Sequence, residues 1–307
     1  MSSSRIVITG ATGFIGRALC RDLQAAGYEV VVFTRDPARA RRLFLDCLTV
    51  AGWDGQTANG HGALVSGARA VVNLAGENIG AGRWTRRRRQ AILKSRLGAG
   101  AAVVRAIREA KFPPGVVIQA SAVGYYGSRN GDPLPESAPA GRGFLAGVVR
   151  QWEDSTKYVE HLGIRRCVIR SGLVLGPDGG MLPRLLRPFF LGLGGTLGFG
   201  RQWVSWVHMA DEVRAIRFLI ENDSLKGVFN LTAPRALQER DLARTIGNRL
   251  KRRAWLPVPG LALRLAYGRM AKETLLAGQR AEPRRLLDSG FSFAYPDAES
   301  ALCDLIP

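Results

Sequence analysis

The hydrophobic pattern of the first half of the chain alternates between two kinds of segment. Short apolar runs bounded by turn residues predict buried strands, and longer segments with apolar positions three and four residues apart predict helices. The predicted strands lie at residues 5–9, 29–33, 47–51, 70–74, 116–120 and 166–170. The predicted helices lie at residues 14–26, 37–45, 86–109 and 144–162. This alternation indicates an α/β protein with a doubly wound parallel sheet.

The turn between the first strand and the first helix has glycines in the spacing GxxGxxG. Gly10 permits a tight turn, Gly13 lets backbone N–H groups approach a phosphate, and Gly16 lets the helix lie close to the strand. The N-terminus of the helix favours an anion through its free N–H groups and its dipole. The spacing therefore predicts a Rossmann-type dinucleotide site, with an ordinary strand–turn–helix as the alternative.

The end of the second predicted strand carries the residues that distinguish two dinucleotides. A site for NAD usually places an acidic residue here to accept a hydrogen bond from the ribose 2′-hydroxyl. This chain has Thr34 and Arg35 at that point, and Arg39 follows on the next helix. A guanidinium beside a hydroxyl suits a 2′-phosphate through charge-assisted hydrogen bonds. We therefore predict NADP as the cofactor, and Asp36 keeps NAD open as the alternative.

Two further strands deliver candidate site residues to the same edge of the sheet. One strand leads into Ala75 and Gly76, whose small side chains let a flat cofactor lie against the backbone. Another leads into Ser121, Tyr125 and Tyr126, whose hydroxyls can polarise a carbonyl or an alcohol. An ordinary turn and a hydrogen-bonded loop are the structural alternatives for these two stretches.

The second half of the chain differs in composition from the first. Residues 172–200 are rich in Gly, Pro and Leu, which predicts a mobile segment beside the substrate rather than a membrane span. Further strands are predicted at 203–208 and 227–231, and further helices at 211–221 and 238–250. We expect a Rossmann domain at 1–171 to which 203–250 partly return, a smaller α/β substrate-side region at 172–255, and a small helical C-terminal domain at 256–307.

The chain is strongly basic. Its 44 Lys and Arg residues against 25 Asp and Glu give a formal net charge of +19, and all but six of the basic residues are arginine. The excess is spread along the chain, and no recognisable nucleic-acid module or aromatic stacking motif accompanies it. We interpret the arginines as solvated helix faces, and a nucleic-acid partner is the less favoured reading.

The cysteines and the N-terminus indicate a cytoplasmic protein. Cys20, Cys47, Cys167 and Cys303 are far apart and form no CxxC pair, which favours reduced thiols and predicts no metal site. The chain passes directly into its first strand without the long apolar segment of a signal peptide or membrane anchor. We expect no membrane partner.

Taken together, the motifs resemble the extended short-chain dehydrogenase/reductases, the superfamily of nucleotide-sugar epimerases and dehydratases. The resemblance is carried by TGATGFIG at 9–16, NLAG at 73–76, SAVGYYG at 121–127, RSG at 170–172 and WVHMAD at 206–211. More narrowly, the chain resembles an atypical epimerase-like family with a C-terminal domain of unknown role. That family shows in order NLAGENI, RWT, SAVGYYG, LGLGG, GRQW, SWVH and NLTAP.

The resemblance implies a set of NADP contacts and leaves assembly as a homodimer open. Arg96 belongs to this set because a helix guanidinium near the sheet edge can neutralise a cofactor phosphate; a surface arginine is the alternative. The implied contacts are Gly10, Thr12, Gly13, Phe14, Ile15, Gly16, Thr34, Arg35, Leu74, Ala75, Gly76, Arg96 and Val174.

The chain departs from the superfamily at its acid/base pair. That pair is a Tyr-x-x-x-Lys on the helix after the fifth strand, where the lysine and the cofactor lower the pKa of the phenol. Residues 144–157 contain no tyrosine, and none of the six tyrosines in the chain has a lysine four residues later. The atypical family also lacks the pair, so the departure is consistent with the resemblance.

Three functions compete. The first is an NADP-dependent oxidoreductase or epimerase for a small hydroxy, oxo or nucleotide-sugar-like compound, with Ser121 as hydrogen-bond donor and Tyr125 as substitute acid. Tyr126, Glu77 and His208 are weaker candidates. The second is a catalytically inactive regulatory protein that retains NADP(H) binding, which the missing pair favours. Nucleic-acid binding ranks third.

Overall fold

The computed structural model describes residues 4–45, 48–57, 60–129 and 131–306. In chain order the strands are β1 (Arg5–Thr9), β2 (Glu29–Thr34), β3 (Thr49–Gly52), β4 (Ala70–Asn73), β5 (Val116–Ala122), β6 (Pro133–Leu134), β7 (Arg165–Ser171), β8 (Leu173–Leu175), β9 (Trp203–Val204), β10 (Trp206–His208), β11 (Gly227–Leu231), β12 (Leu237–Gln238) and β13 (Arg280–Ala281).

The helices lie mainly between these strands, and one 3₁₀ helix, Val123–Tyr126, follows β5. The α-helices are α1 (Phe14–Ala25), α2 (Pro37–Phe44), α3 (Gly62–Val65), α4 (Arg86–Glu109), α5 (Phe144–Asp154), α6 (Tyr158–His161), α7 (Leu182–Phe190), α8 (Met209–Glu221), α9 (Glu239–Arg249), α10 (Gly260–Tyr267), α11 (Arg269–Glu273), α12 (Arg284–Asp288) and α13 (Ala298–Leu305).

Seven parallel strands form the central sheet, in the order β11-β7-β5-β4-β1-β2-β3. The chain moves outward from β1 to β2 and β3, and then returns to place β4 on the other side of β1. The predicted doubly wound α/β fold is confirmed. Such a reversal of strand order opens a crevice at the carboxyl ends of the strands, where ligands bind in open α/β sheets.

Side chains alternate between the two faces of the sheet and create a core on each. On β1, Ile6 and Ile8 join the core that contains residues of α1 and α8, whereas Val7 joins the core that contains residues of α4. All three side chains are fully buried. The strands are therefore covered on both faces, which explains why they read as continuous apolar runs in the sequence.

A chain of buried polar side chains ties three central strands together at their carboxyl ends. Thr9 Oγ1 donates to Asn73 Oδ1 at 2.7 Å, and Asn73 Nδ2 donates to Gln119 Oε1 at 2.9 Å. Gln119 Nε2 in turn donates to the carbonyl oxygen of Ala120 at 2.7 Å. Each of these interior groups has a partner, so the chain fixes the spacing of β1, β4 and β5 beneath the crevice.

Most predicted elements differ from the structure by one or two residues at an end, and two of them are divided. The predicted helix 144–162 is two helices, α5 and α6, because Ser155 Oγ donates to the carbonyl oxygen of Trp152 where the first helix ends. The predicted strand 203–208 is two short strands on either side of Ser205, because β9 pairs with β12 whereas β10 pairs with β8. The third strand begins at residue 49, and Cys47 lies outside the described residues.

The C-terminal stretch packs into cores that the rest of the chain also builds. Leu286 and Phe291 belong to the core that contains residues of α1 and α8. Ala301 and Leu302 on α13 belong to a third core with Trp206 and with residues of α7 and α9. The stretch also contributes β13, which pairs with β6. The division of the chain into three parts stays a prediction.

The structure bears on two other expectations. None of the helices in the described ranges is long and apolar enough to cross a membrane. Cys20 and Cys167 are buried free thiols, and Cys303 is an exposed one. Burial raises the pKa of Cys20 to about 12, which keeps this thiol protonated and unreactive at neutral pH.

Candidate functional site

A groove of about 750 Å³ lies at the carboxyl ends of β1, β2 and β4. Three short segments that the sequence places at strand ends meet in it. Eight of the predicted cofactor contacts line this groove: Gly10, Thr12, Gly13, Thr34, Arg35, Leu74, Ala75 and Gly76. The structure therefore brings the glycine turn, the tip of β2 and the end of β4 into one continuous wall.

The glycine turn is shaped by the close approach of backbone segments. Gly10 has a φ of +73°, and a Cβ there would lie 2.7 Å from the carbonyl carbon of Leu74. A Cβ on Gly16 would lie 2.6 Å from the Cα of Ala11. A side chain at either position would require the backbone itself to move, so both glycines are needed for this geometry.

The N-terminus of α1 has the character of an anion site. Its N-cap is Gly13, which provides no side-chain hydrogen bond, and no acidic residue lies in the first turn. The N–H groups of this turn have no intrahelical partners, and the helix dipole adds partial positive charge. A phosphate placed over Gly13 would satisfy these donors.

The tip of β2 directs its charged groups in different directions. Arg35 is exposed, lines the groove and forms no ion pair within the described part of the chain. Asp36 instead acts as the N-cap of α2, because its Oδ1 accepts a hydrogen bond from Arg39 N at 2.9 Å. The carboxylate that could have bonded a ribose hydroxyl is thus engaged by the helix, whereas the guanidinium is free for an anion.

The two other carboxylates that line the groove, Asp54 and Glu77, are also engaged by neighbouring groups of the protein. Asp54 accepts hydrogen bonds from the backbone N–H groups of Gln56 and Thr57, which lower its pKa. Glu77 pairs with Arg88 at 2.9 Å. The carboxylates are therefore compensated locally, and the groove presents a surplus of positive charge. This balance suits a polyanionic ligand.

Three other predicted contacts lie beside the groove without lining it. The ring of Phe14 packs under Gly176 and Gly180 in the loop after β8. Ile15, which lies on α1 like Phe14, packs against the core between this helix and the sheet. Val174 is a buried residue of β8 that pairs with Val207. Phe14 therefore supports the loop that approaches the glycine turn, and direct contact of these residues with a ligand stays a prediction.

Arg96 lies between the groove and a second cavity. Its Nη1 donates to the carbonyl oxygens of Glu77 at 3.0 Å and Ile92 at 3.1 Å, and its guanidinium lies 4.7 Å from the ring of Trp152. A Cβ on Gly76, which lines the groove, would lie only 3.2 Å from Arg96 Cζ. Burial lowers the pKa of Arg96 to about 10, so the side chain remains a cation at neutral pH.

The second cavity, called the inner cavity here, has a volume of about 280 Å³ and adjoins the carboxyl ends of β5 and β7. Most of its walls are apolar. The face of α5 toward it carries Leu145, Val148, Val149 and Trp152. A phenol and an ammonium four residues apart on this helix would have to take two of these positions, and all four are apolar. Where a Tyr-x-x-x-Lys pair would stand on this helix, the chain therefore has an apolar wall.

The predicted donor Ser121 is engaged by a buried ion pair. Its hydroxyl donates to Glu153 Oε1 at 2.5 Å, and Arg170 binds both oxygens of the same carboxylate at 2.8 and 3.0 Å. Ser121 is not among the residues that line the inner cavity, whereas the next residue, Ala122, is. The geometry gives Ser121 a partner inside the protein, and its catalytic role stays a prediction.

Tyr125 and Tyr126 belong to the same buried network. The guanidinium of Arg170 lies 3.4 Å from the ring centroid of Tyr125 and donates to the hydroxyl of Tyr126 at 3.0 Å. The Tyr126 hydroxyl donates to Asn230 Oδ1 at 2.8 Å, and burial raises its pKa. Neither tyrosine lines the inner cavity or the groove. The role of Tyr125 as a substitute acid stays a prediction.

The weaker candidate His208 lies outside both spaces. Its Nδ1 accepts a hydrogen bond from Ala210 N at 3.1 Å, its Nε2 lies 3.2 Å from Asp304, and its ring stacks on Tyr295 at 3.8 Å. Burial lowers its pKa. These contacts join β10 to the C-terminal stretch, which is a structural role.

Two carboxyl groups that the sequence reasoning missed lie at the inner cavity. Glu239 lines it, accepts a hydrogen bond from Leu197 N at 3.0 Å, and has a pKa raised to about 7 by burial. Glu212 is fully buried, and it accepts a hydrogen bond at 2.5 Å from the hydroxyl of Ser171, a residue that lines the cavity. Burial raises the pKa of Glu212 to about 8.

The sequence offered only a weak signal for these two groups. Both stand in the first turn of a predicted helix, where acidic residues commonly serve the helix dipole at the surface. Their burial depends on packing against distant strands and loops. A carboxyl that is protonated near neutral pH can exchange a proton with a ligand, so the inner cavity has ionisable groups without the tyrosine and lysine.

This chain belongs to the NAD dependent epimerase/dehydratase family, whose model matches residues 6–232. Residues 258–305 match a domain described as being of unknown function, DUF1731. Together the two matches confirm the epimerase-like family with a C-terminal domain that the motifs predicted.

Individual relatives match over almost the whole chain. The epimerase family protein YfhF of Bacillus subtilis is 38% identical over 302 residues, which are 98% of this chain and 97% of YfhF. The human epimerase family protein SDR39U1 is 33% identical over 305 residues, or 98% of this chain and 99% of the relative. The crystal structure of human SDR39U1 (isoform 2) with NADPH is similar with a TM-score of 0.88, 34% identity and 98% coverage of each chain.

Proposed function

We propose that this protein binds NADP(H) and uses it as an oxidoreductase or epimerase on a small hydroxy or oxo compound. The observation that carries the proposal is the tip of β2, where Arg35 faces the groove while Asp36 is held as a helix cap. A 2′-phosphate can take a charge-assisted bond from Arg35, and no carboxylate competes at that point. NADPH in the crystal structure of human SDR39U1 supports the same choice.

The choice of cofactor can be tested by exchanging the guanidinium for a neutral group. We expect the protein to bind NADPH at least about tenfold more tightly than NADH, and Arg35→Ser to remove this preference without weakening NADH binding. Arg42→Ser is the matched control, because Arg42 is an exposed arginine farther along α2 that does not line the groove. Titration of nucleotide fluorescence measures all six affinities, two nucleotides for each of the three proteins. Equal affinities of the unmodified protein for NADPH and NADH would contradict the proposal.

The groove and the inner cavity together support a redox reaction. Bound NADPH supplies a hydride to the carbon of an oxo group, the oxygen takes up a proton, and the products are the alcohol and NADP⁺. The side chains of this chain must hold the oxo compound beside the groove and provide the proton. The inner cavity adjoins the groove at Gly76 and Arg96, so both ligands can be held at the same edge of the sheet.

Ser171 joins Ser121 and Tyr125 as a candidate for the proton step. Ser171 lines the inner cavity, and its hydroxyl is hydrogen-bonded to Glu212, a carboxyl whose pKa of about 8 leaves it largely protonated at neutral pH. Ser171→Ala should lower kcat for NADPH oxidation by an oxo compound. The same measurement on Tyr125→Phe decides between Ser171 and Tyr125. If only Tyr125→Phe loses turnover, Tyr125 is the acid.

The second candidate function is an NADP(H)-binding regulatory protein without turnover. The apolar face of α5, with Leu145 and Val149 four residues apart, is the observation that favours it. This function predicts tight NADPH binding with no NADPH oxidation across a broad panel of oxo compounds and nucleotide sugars. NADPH-dependent turnover of any member of the panel would rule it out.

A further inference from the structure

A larger cavity opens beside the inner cavity and is called the outer cavity here. Its volume is about 770 Å³. The two cavities are neighbours, because they share five lining residues: Gly124, Leu145, Glu273, Ala277 and Gln279. A ligand whose reacting part occupies the inner cavity can therefore extend through this shared boundary into the outer one.

The inner cavity is poorly suited to a molecule covered with hydroxyl groups. Trp152, Leu173 and Trp203 contribute to its walls. Among its polar side chains, Gln202 donates to two backbone carbonyl oxygens, of Leu197 and Leu275, and so has its amide protons engaged by the protein. A sugar ring would lose hydrogen bonds to water at most of its hydroxyl groups, because the few other polar side chains there, such as Ser171 and Glu239, could replace only some of them.

The outer cavity has the opposite character. Its charged lining consists of four cations and one carboxylate, and the cations come from two separate segments of the chain. The loop before α5 provides one of them, and α10 and α11 provide the other three. The charged residues are Arg142, Arg264, Arg269, Lys272 and Glu273.

The only carboxylate in that lining is already compensated. Glu273 Oε2 accepts a hydrogen bond from Leu145 N at 2.8 Å, and its Oε1 accepts from Arg269 Nε at 2.5 Å. Arg142, Arg264 and Lys272 are exposed and have no acidic partner within the described ranges. Three uncompensated cations therefore line the outer cavity, beside an apolar space.

Building on the proposed function, we infer that the substrate is an amphipathic anion. An apolar body that carries the hydroxy or oxo group fills the inner cavity, and a phosphate or carboxylate group attached to it binds Arg142, Arg264 and Lys272 in the outer cavity. The nearness of a low-dielectric space to these cations strengthens their attraction for an anion. A nucleotide sugar fits this arrangement poorly, because its polar sugar would have to enter the apolar part.

The inference is tested by direct binding, which requires neither turnover nor a known substrate. Octyl phosphate, octanoate, 1-octanol, inorganic phosphate and UDP-glucose serve as probes. Trp152 and Trp203 line the inner cavity, so quenching of their fluorescence reports its occupation. We expect octyl phosphate or octanoate to bind at least about tenfold more tightly than octanol and inorganic phosphate. The better of the two anions identifies the head group. Tighter binding of UDP-glucose would overturn the inference.

Matched double variants separate this site from general attraction to a basic protein. Arg142→Ala/Lys272→Ala removes one arginine and one lysine of the outer cavity and should weaken the alkyl anion at least about tenfold. Arg150→Ala/Lys157→Ala removes the same charges from exposed positions that line neither cavity, and should leave affinity within about twofold. Equal effects of the two double variants, or none from either, would overturn the inference.

Two further measurements keep the inference distinct from the proposed function. Thermal unfolding of each double variant verifies that it folds, and all four substituted residues are exposed. NADPH is titrated into the same preparations. If the protein binds the alkyl anion normally but does not bind NADPH, only the proposed function is contradicted. If it binds NADPH but shows no preference for an alkyl anion, only the inference about the substrate is contradicted.

Discussion

The groove and the inner cavity adjoin at one edge of the sheet, but they are built in different ways. One wall of the groove is formed by short stretches that each follow a strand, such as Gly10–Gly13 after β1 and Leu74–Gly76 after β4, and the facing wall is a single helix, α4. The inner cavity takes its walls from α5, β8, α7, β9, α9 and the C-terminal stretch. The first kind of site is determined by backbone geometry close in sequence, and the second by side chains brought together only by the complete fold.

The largest effect is expected from a single methyl group in the groove. Gly10→Ala forces a residue with a Cβ to a φ of +73° and places that Cβ 2.7 Å from the backbone at Leu74. We expect a loss of at least about 2 kcal/mol in unfolding free energy, together with at least about a tenfold loss of NADPH affinity. Denaturant unfolding and NADPH titration measure the two effects.

Gly27→Ala is the control for that substitution. Gly27 has a φ of +82°, but a Cβ there would meet nothing within 4 Å. Gly27→Ala should lower the unfolding free energy by only about 1 kcal/mol and leave the NADPH affinity unchanged. If the two variants behave alike, the contact between Gly10 and the end of β4 is not what shapes the groove.

A second effect, which depends on pH, is expected at the inner cavity. The pKa of Glu212 is raised by burial to about 8 in the folded protein, from 4.5 for a free glutamate side chain. The folded state therefore holds a proton that the unfolded state releases. Between pH 5 and 8 this makes the unfolding free energy fall with rising pH by up to about 1.4 kcal/mol per pH unit.

Glu212→Gln removes this proton equilibrium. Compared with the unmodified protein, the variant should gain stability as the pH rises from 5 to 8, with little further change above 8. Urea unfolding at several pH values measures the difference. Parallel profiles for the two proteins would show that Glu212 titrates normally in the folded state.

The smallest effect is expected where the two spaces meet. A Cβ on Gly76 would lie 3.2 Å from Arg96 Cζ, so Gly76→Ala must displace the guanidinium by a few tenths of an ångström. We expect a change of about 0.5 kcal/mol in stability and about a twofold loss of NADPH affinity. Gly147→Ala, where a Cβ would meet nothing within 4 Å, is the control. Unchanged NADPH affinity in Gly76→Ala would mean that Arg96 does not contribute to the groove.

The sequence predicts the groove better than the inner cavity, because the groove depends more on residues that are close together in sequence. The bounds of α4 and β11 were predicted to the residue, because both elements show strong periodicity between clear stop signals. The glycine turn and the tip of β2 were located because turn geometry and helix capping act over a few residues. The seven-stranded order of the sheet is consistent with the predicted alternation of strands and helices.

The inner cavity shows what local patterns cannot reveal. Asp211 and Glu212 look like a solvated acidic helix start, yet both are fully buried, with Asp211 accepting hydrogen bonds from Ala294 N and Tyr295 N. Ser121 was expected to face a ligand but bonds to Glu153, which lies 32 residues away on another element. Partners so distant in sequence are set by tertiary packing, which periodicity does not encode.

Arg96 makes the two spaces thermodynamically dependent on each other. Its guanidinium is fixed by two backbone carbonyl oxygens and the ring of Trp152, with only the backbone of Gly76 between it and the groove. A ligand on either side that shifts this cation changes the contact that it offers to the other ligand. If cofactor and substrate are coupled in this way, each should change the affinity for the other by the same factor, as linkage requires.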